Sequence, residues 1–232
     1  ILPRKNELIR PAVANIDQAL VVFAAAKPKP HFQLLDRFLV MMESKEIPVV
    51  LCFNKSDIVD DEKITELQEI YRNCGYSLLF TSAKEEQNIG ELKTLLRGKM
   101  TAIAGPSGVG KSSLINRLQS GVRMETGSIS RKIERGKHTT RHSELIVLEE
   151  GSYIMDTPGF SSLYVGDMKK EELKYCFPEF SVYEGKCRFN GCSHIHEPGC
   201  AVREAVEEGK IHRIRYEDYA FMYRELQERK RY

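Results

Sequence analysis

The sequence predicts an α/β fold: a mixed, mostly parallel sheet with helices on both faces, followed by a small, mainly helical C-terminal region. Three observations carry this. Apolar runs of strand length alternate with amphipathic stretches of helix length. A glycine-rich loop joins one of those runs directly to one of those helices. Beyond about residue 165 the strand-like runs stop, and cysteine, histidine, glycine and proline concentrate instead. The 232 residues are 41% apolar and 29% charged, a globular balance that excludes disorder as the main state. The longest apolar stretch, Ala19 to Ala26, has eight residues, whereas a helix spanning a bilayer needs roughly 20. No membrane anchor is expected.

In chain order, Ala19 to Ala26 is the first strand, and Phe32 to Lys45 follows with helical periodicity. The apolar run Val49 to Phe53 is the second strand, and Glu62 to Asn73 the helix after it. Leu78 to Thr81, the helix Ile89 to Leu96, the strand Met100 to Ala104 and the helix Lys111 to Gln119 continue the alternation. Glu144 to Leu148 and Tyr153 to Met155 break it. Only Glu149-Glu150-Gly151-Ser152 separates them, too little for a crossover helix, so they form a hairpin and one strand runs antiparallel. A helix is expected around Glu171 to Tyr175, and a charged one from Ile211 to about Arg229. These readings divide the chain into residues 1–165, a nucleotide-binding unit, and 166–232, a metal-bearing unit ending in a helix. The opening Ile-Leu-Pro-Arg has neither an initiator Met nor a signal peptide's apolar core, as expected of a fragment with something upstream removed.

Gly105-Pro106-Ser107-Gly108-Val109-Gly110-Lys111-Ser112 lies between a strand and a helix, the context a phosphate-binding loop requires. Its glycines let backbone N–H groups turn inward around phosphate oxygens, and the helix N-terminus adds about half a positive charge. Lys111 is placed to reach the β and γ phosphates and Ser112 to ligate Mg²⁺, and the nucleotide-contacting stretch is taken through Ser113. A glycine-rich turn with no ligand is the alternative, and the two flanks argue against it.

Asn54-Lys55-Ser56-Asp57 ends a strand, where side chains emerge at the carboxyl edge of an open α/β sheet. A carboxylate such as Asp57 accepts both the N1–H and the 2-amino proton of guanine, whereas adenine would leave it unpaired. Asn54 is expected to brace the loop, Lys55 to lay its stem along the base, and Ser82-Ala83-Lys84 to offer a backbone N–H to the guanine oxygen. Alone this tetrapeptide would read as a surface turn; beside a phosphate loop it selects GTP over ATP.

Asp156-Thr157-Pro158-Gly159 closes the second hairpin strand, where a carboxylate can hold Mg²⁺ through water and the Gly159 N–H can meet the γ-phosphate. Thr139-Thr140 supplies hydroxyls for completing the Mg²⁺ shell, with Thr140 preferred. Ordinary GTPases place the phosphate loop first and the base motifs last; here the order is NKSD, SAK, GPSGVGKS, HTTR, DTPGF, a circular permutation. Arg97-Gly98-Lys99 is the splice between the last element of the usual order and the first.

Cys187, Cys192, His194 and Cys200 supply three thiolates and one imidazole within fourteen residues. Four such ligands close a tetrahedron suited to structural Zn²⁺, with His196 as the second choice of imidazole. The alternative is four unconnected residues. Reduced cysteines this dense, with no secretory signal, point to the cytoplasm. Between Gly121 and Ser143 the local charge is +4, which suits a loop that docks on RNA, although a merely solvated loop is the commoner meaning. Tyr216, Tyr219, Tyr223 and Leu226 share one face of the last helix, and core packing is favoured there over base stacking.

Permuted order followed by FPEF and the Cys-His cluster resembles the RsgA family (YjeQ, YloQ), GTPases of small ribosomal subunit biogenesis, over essentially the whole chain. The resemblance implies a permuted P-loop GTPase fold and an upstream OB-fold domain to which nothing here corresponds. It implies hydrolysis of GTP to GDP and phosphate, slow alone and stimulated by the small subunit, since Phe160 stands where many GTPases carry a water-orienting glutamine. His138 is the candidate to position water, with Lys111 and Thr140 completing the catalytic set. Implied partners are the small ribosomal subunit, its rRNA and GTP/GDP, for a monomer with no membrane contact. The competing readings are a permuted GTPase of another RNA-related pathway and a zinc-bearing RNA-binding module with a structural nucleotide.

Overall fold

The computed structural model describes residues 15–119, 144–149, 151–156 and 168–229. Six strands form one sheet in the order β3-β2-β1-β4-β6-β5: β1 (Gln18–Ala24), β2 (Val49–Asn54), β3 (Ser77–Thr81), β4 (Met100–Ala104), β5 (Glu144–Glu149) and β6 (Ser152–Asp156). All neighbours are parallel except β5 against β6, so the hairpin is the one antiparallel pairing, as its short connection requires.

The central strand β1 is buried at every position because both faces of the sheet are covered. Its side chains alternate between two cores. Leu20, Val22 and Ala24 pack with α3 (Ile89–Leu96) and α4 (Lys111–Leu118) on one face. Ala19, Val21 and Phe23 pack with α1 (Phe32–Glu43) and α2 (Asp61–Tyr71) on the other. The splice is tight: Arg97-Gly98-Lys99 carries the chain from α3 into β4, and Gly98 N–H donates to Ser152 Oγ at 2.9 Å.

A third core belongs to the C-terminal region. It gathers Phe177, Phe180, Val202, Tyr219, Tyr223 and Leu226, and Val40 of α1 lies within it. The helical face Tyr219-Tyr223-Leu226 is buried in this core and Tyr216 is half-buried against it, the core-packing alternative of the two weighed. Two expectations need correction. The helix around Glu171 to Tyr175 is a short 3-10 segment, Leu173–Cys176, followed by another, Pro178–Tyr183. Pro178 explains this: it disfavours a helical residue before it, and Phe177 sits at φ −118, ψ 89. The last helix, α6, starts at Arg213 and not at Ile211, and a helix not anticipated, α5 (Ala201–Glu207), follows the last cysteine of the cluster.

The C-terminal region meets the sheet domain through charge as well as apolar surface. Arg215 of α6 is fully buried, with Nε donating to Glu179 Oε1 at 2.7 Å and NH1 lying 2.7 Å from Asp36 Oδ1 on α1. Its guanidinium lies over the rings of Phe177 and Tyr71, and Tyr71 OH donates to Asp36 at 3.0 Å. Arg37 pairs with Glu225 nearby. Buried charge is tolerated only when paired in this way.

Candidate functional site

Strands β1, β2, β3, β4 and β6 all run the same way, so the residues that follow them emerge at one edge of the sheet. That places Asn54, Ser82, Gly105 and Asp156 together although they are scattered over a hundred residues of chain.

The phosphate loop is moulded by its neighbours at two glycines. Gly105 has φ +152, and a Cβ there would sit 2.1 Å from the Val22 carbonyl oxygen. Gly110 has φ +96, and a Cβ there would meet Asn54 Nδ2 at 2.3 Å. The loop passes so close to β1 and to the end of β2 that only glycine fits at either point. Pro106, Ser107, Gly108 and Val109 complete the turn, Val109 buried beneath it. Lys111 Nζ donates to the Gly105 and Pro106 carbonyls at 2.7 and 2.8 Å, which arches its side chain over the loop. Burial lowers the pKa of Lys111, and the nearby Asp156 opposes the shift. A partly desolvated ammonium held in this way is a strong electrostatic partner for an anion. At the start of α4, Ser112 is exposed and Ser113 half-buried.

Asn54 braces, as expected of it. Its Nδ2 donates to the Val109 carbonyl at 2.9 Å, while its Oδ1 accepts from Thr81 Oγ1 and from the Ala83 N–H, both at 3.2 Å. One side chain thereby fixes the phosphate loop and the Ser82-Ala83-Lys84 loop relative to each other. Lys55, in the left-handed conformation, donates to the Gly108 and Lys27 carbonyls at 2.7 Å each. Asp57 accepts from Ser82 Oγ at 2.6 Å, and Lys84 Nζ lies 4.0 Å from its other oxygen. Asp57 is therefore aimed and its second oxygen is presented beside a cation. Thr139, Thr140, His138 and Gly159 lie outside the described residues, as does Phe160.

Sequence reasoning did not find Lys27, whose backbone carbonyl receives Lys55, or Gln87, whose side chain accepts from Ser56 Oγ at 3.3 Å and whose backbone bridges Ser82. A backbone acceptor carries no residue signature, and nothing in a lone glutamine marks such a contact.

The second constellation is the Cys-His cluster. One ligand atom from each of Cys187, Cys192, His194 and Cys200 can be chosen so that all lie within 4.8 Å of one another. His194 Nδ1 lies 3.6 Å from Cys187 Sγ and 3.3 Å from Cys200 Sγ. His196 is exposed and outside this group, so His194 is the imidazole of the cluster. The turn is held by Glu197, which accepts from Ser193 N–H and Oγ, Ile195 N–H and His196 N–H. Those donors outweigh burial and hold the Glu197 carboxyl down at about 2. Tyr216 and Tyr219 of α6 donate to the His194 and Ser193 carbonyls at 2.8 and 2.5 Å, so the last helix clamps the turn. Burial pushes the Cys192 thiol up to about 12 and the His194 imidazole down. Three sulfur ligands, which would bind a divalent cation as thiolates with release of their protons, and one imidazole are a tetrahedral donor set, and the cluster is compatible with zinc.

A family model described as RsgA GTPase matches residues 1–166. A protein of Agathobacter rectalis named small ribosomal subunit biogenesis GTPase RsgA is 61% identical over all of this chain and 77% of its own length. One of the same name from Alkaliphilus metalliredigens is 48% identical over all of this chain and 80% of its own. Among solved structures, YjeQ from Thermotoga maritima superposes with a TM-score of 0.79 at 41% identity, covering 97% of this chain and 77% of that one. YloQ, described as a circularly permuted GTPase, gives 0.77 at 39% identity over all of this chain and 75% of that one.

Proposed function

Since this chain belongs to the RsgA GTPase family, we propose that it hydrolyses GTP to GDP and phosphate while engaged with the small ribosomal subunit and its rRNA during late assembly of that subunit. The observation that supports this best is the bracing of the phosphate loop by the base motif, Asn54 to Val109, which sets the two loops in one frame as a nucleotide spanning both would require.

Within this reading Asp57 accepts the two guanine protons, and the Ser82-Ala83-Lys84 loop faces the guanine oxygen. Backbone N–H groups of the loop from Ser107 to Gly110 donate to phosphate oxygens, and Lys111 moves its ammonium from the loop carbonyls onto the β and γ phosphates. Ser112, Thr140 and, through water, Asp156 are the residues that would hold Mg²⁺, which when bound offsets charge on the phosphate oxygens. Thr139 stands next in line for that role, Gly159 offers its N–H to the γ-phosphate, and His138 positions the attacking water that Phe160 cannot hold. Positioning and charge stabilisation are the larger part of phosphoryl transfer, so no strong base is required. The reading includes structural zinc at Cys187, Cys192, His194 and Cys200, a division near residue 165 into a GTPase unit and a zinc unit, action as a monomer and a cytoplasmic location. Among the described residues no helix is long and apolar enough to cross a membrane.

The test is GTP turnover with and without purified small ribosomal subunits, for the parent and for Lys111→Ala. Stimulation by subunits that Lys111→Ala abolishes is the expected result. Turnover that ignores subunits, or that survives loss of Lys111, would overturn it.

A further inference from the structure

Three hydrogen bonds and a stretch of backbone form a closed ring around the nucleotide edge of the sheet, and one of those hydrogen bonds comes from a residue of no nucleotide-binding motif. Val109 of the phosphate loop receives Asn54 Nδ2 at 2.9 Å, and Asn54 Oδ1 receives the Ala83 N–H at 3.2 Å. The Ala83 carbonyl receives Arg117 Nε at 2.9 Å. Arg117 stands on α4, the helix that begins at Lys111 directly after the phosphate loop, so the backbone returns the ring to Val109. The same guanidinium pairs with Glu86, which occupies a left-handed position on the far side of the base loop.

The consequence for Ala83 is geometric. Its N–H is tied to the base motif and its carbonyl to the phosphate helix, so both ends of the residue are fixed from different motifs. Ala83 itself is buried, and its neighbour Ser82 holds Asp57 at 2.6 Å. Whatever shifts Ala83 therefore shifts the carboxylate that reads the guanine edge. Without Arg117, the loop keeps its Asn54 and Gln87 contacts on one side and loses its attachment to α4 on the other.

We infer that Arg117 is a positioning residue for guanine recognition, closing the Asn54-Ala83-Arg117 ring so that the base loop and the phosphate helix move as one unit. This rests on the reading of the site as a GTP site. Arg117 does not touch the nucleotide; it sets where Ser82-Ala83-Lys84 and Asp57 stand when the nucleotide arrives. Side-chain donation to a backbone carbonyl is worth enough to alter affinity by about three- to tenfold. Because the side chain is 44% exposed, its removal leaves the core of the sheet intact.

The experiment measures dissociation of a fluorescent GDP analogue, and the GDP-over-ADP affinity ratio by competition, for the parent, Arg117→Ala, Arg117→Lys and Glu86→Gln, alongside thermal melting. Arg117→Ala should speed dissociation about three- to tenfold and shrink the guanine-over-adenine ratio with melting unchanged. Arg117→Lys, which can still donate to the Ala83 carbonyl, should recover part of both, and Glu86→Gln should resemble the parent. Unchanged dissociation and ratio in Arg117→Ala, or a ratio that stays fixed while melting falls, overturns the inference. A parent protein that binds no guanine nucleotide would instead overturn the functional reading beneath it.

Discussion

In the proposed reading, guanine specificity at the level of single residues falls to Asp57 and to what holds it. Ser82 Oγ donates to one of its oxygens at 2.6 Å, which leaves the carboxylate fixed and the second oxygen turned toward the cationic Lys84. Replacing Asp57 by Asn keeps the shape but exchanges an acceptor for a donor. We predict that Asp57→Asn loses guanine preference and gains affinity for xanthine nucleotides, whose ring oxygen at the 2-position accepts where guanine's amino group donates. Competition binding of GDP against xanthosine diphosphate measures it, and an unaltered preference for GDP would remove Asp57 from the base site. Burial alone would not have identified this residue. The motif is what nominates it, because a carboxylate at a strand end beside a phosphate loop has few other uses.

At the level of elements, the cysteine cluster depends on a turn that holds its own shape only in part. Glu197 gathers four donors, and Tyr216 and Tyr219 clamp two carbonyls, yet three thiols remain crowded around one imidazole. A small apolar core, Phe177, Phe180 and Tyr219 among it, sits directly against this turn. We predict that a strong chelator, or Cys192→Ser, lowers the melting temperature of the C-terminal region while GDP affinity is retained, since structural zinc contributes on the order of 10 kcal/mol or more to small domains. Elemental analysis finding no zinc, together with unchanged melting, would refute it. The strands, the four helices between them and the grouping of Cys187, Cys192, His194 and Cys200 were legible in the sequence because period, glycine placement and spacing each have a local cause. What was not legible is long-range. The helix Ala201–Glu207 lacks a strong apolar period, Pro178 broke an expected helix into 3-10 turns, and Arg117 meets Ala83 only through the fold. The sequence marks the last helix as charged but not which of its charges are covered: Arg215 is buried against Asp36 of α1 and Glu179, and Asp218 is buried beside them.

The whole molecule is joined at that buried cluster. Asp36 and Asp218 each keep one buried carboxyl oxygen that no donor reaches, while the two carboxyls lie within hydrogen-bonding distance of each other. A proton between them satisfies both. Burial first, and then Asp36, push Asp218 up to about 8; Arg215 opposes, while Glu217 adds to the rise. Because the folded value stands above the ordinary carboxylate value of about 3.9, the folded state binds the extra proton between roughly pH 4 and pH 8. Stability from this group is complete below that window and falls as pH rises through it, by up to about 1.4 kcal/mol per pH unit. Asp218→Asn supplies a permanent donor to Asp36. We predict that its stability relative to the parent increases from pH 5.5 to pH 8, read from denaturant midpoints at several pH values; parallel pH profiles would exclude the shared proton.

Helix α1 is anchored at two places, just before its start and in its middle. The segment leading into it touches the nucleotide edge, where Lys55 grips the Lys27 carbonyl and the Pro28 ring neighbours Gly108. Midway along, Asp36 and Arg37 hold α6 through Arg215 and Glu225. The C-terminal region is thus held by more than the covalent chain continuing from β6: α1 grips it through Asp36 and Arg37, and Asn73 just beyond α2 donates to the Lys210 carbonyl at 2.8 Å. In mechanical terms this is a braced frame and not a pendulum: with attachments on two helices besides the covalent chain, free swinging is lost. A displacement of α1 at the nucleotide edge would therefore be passed to α6 as a load on the Asp36–Arg215 contact, without travelling along the covalent chain.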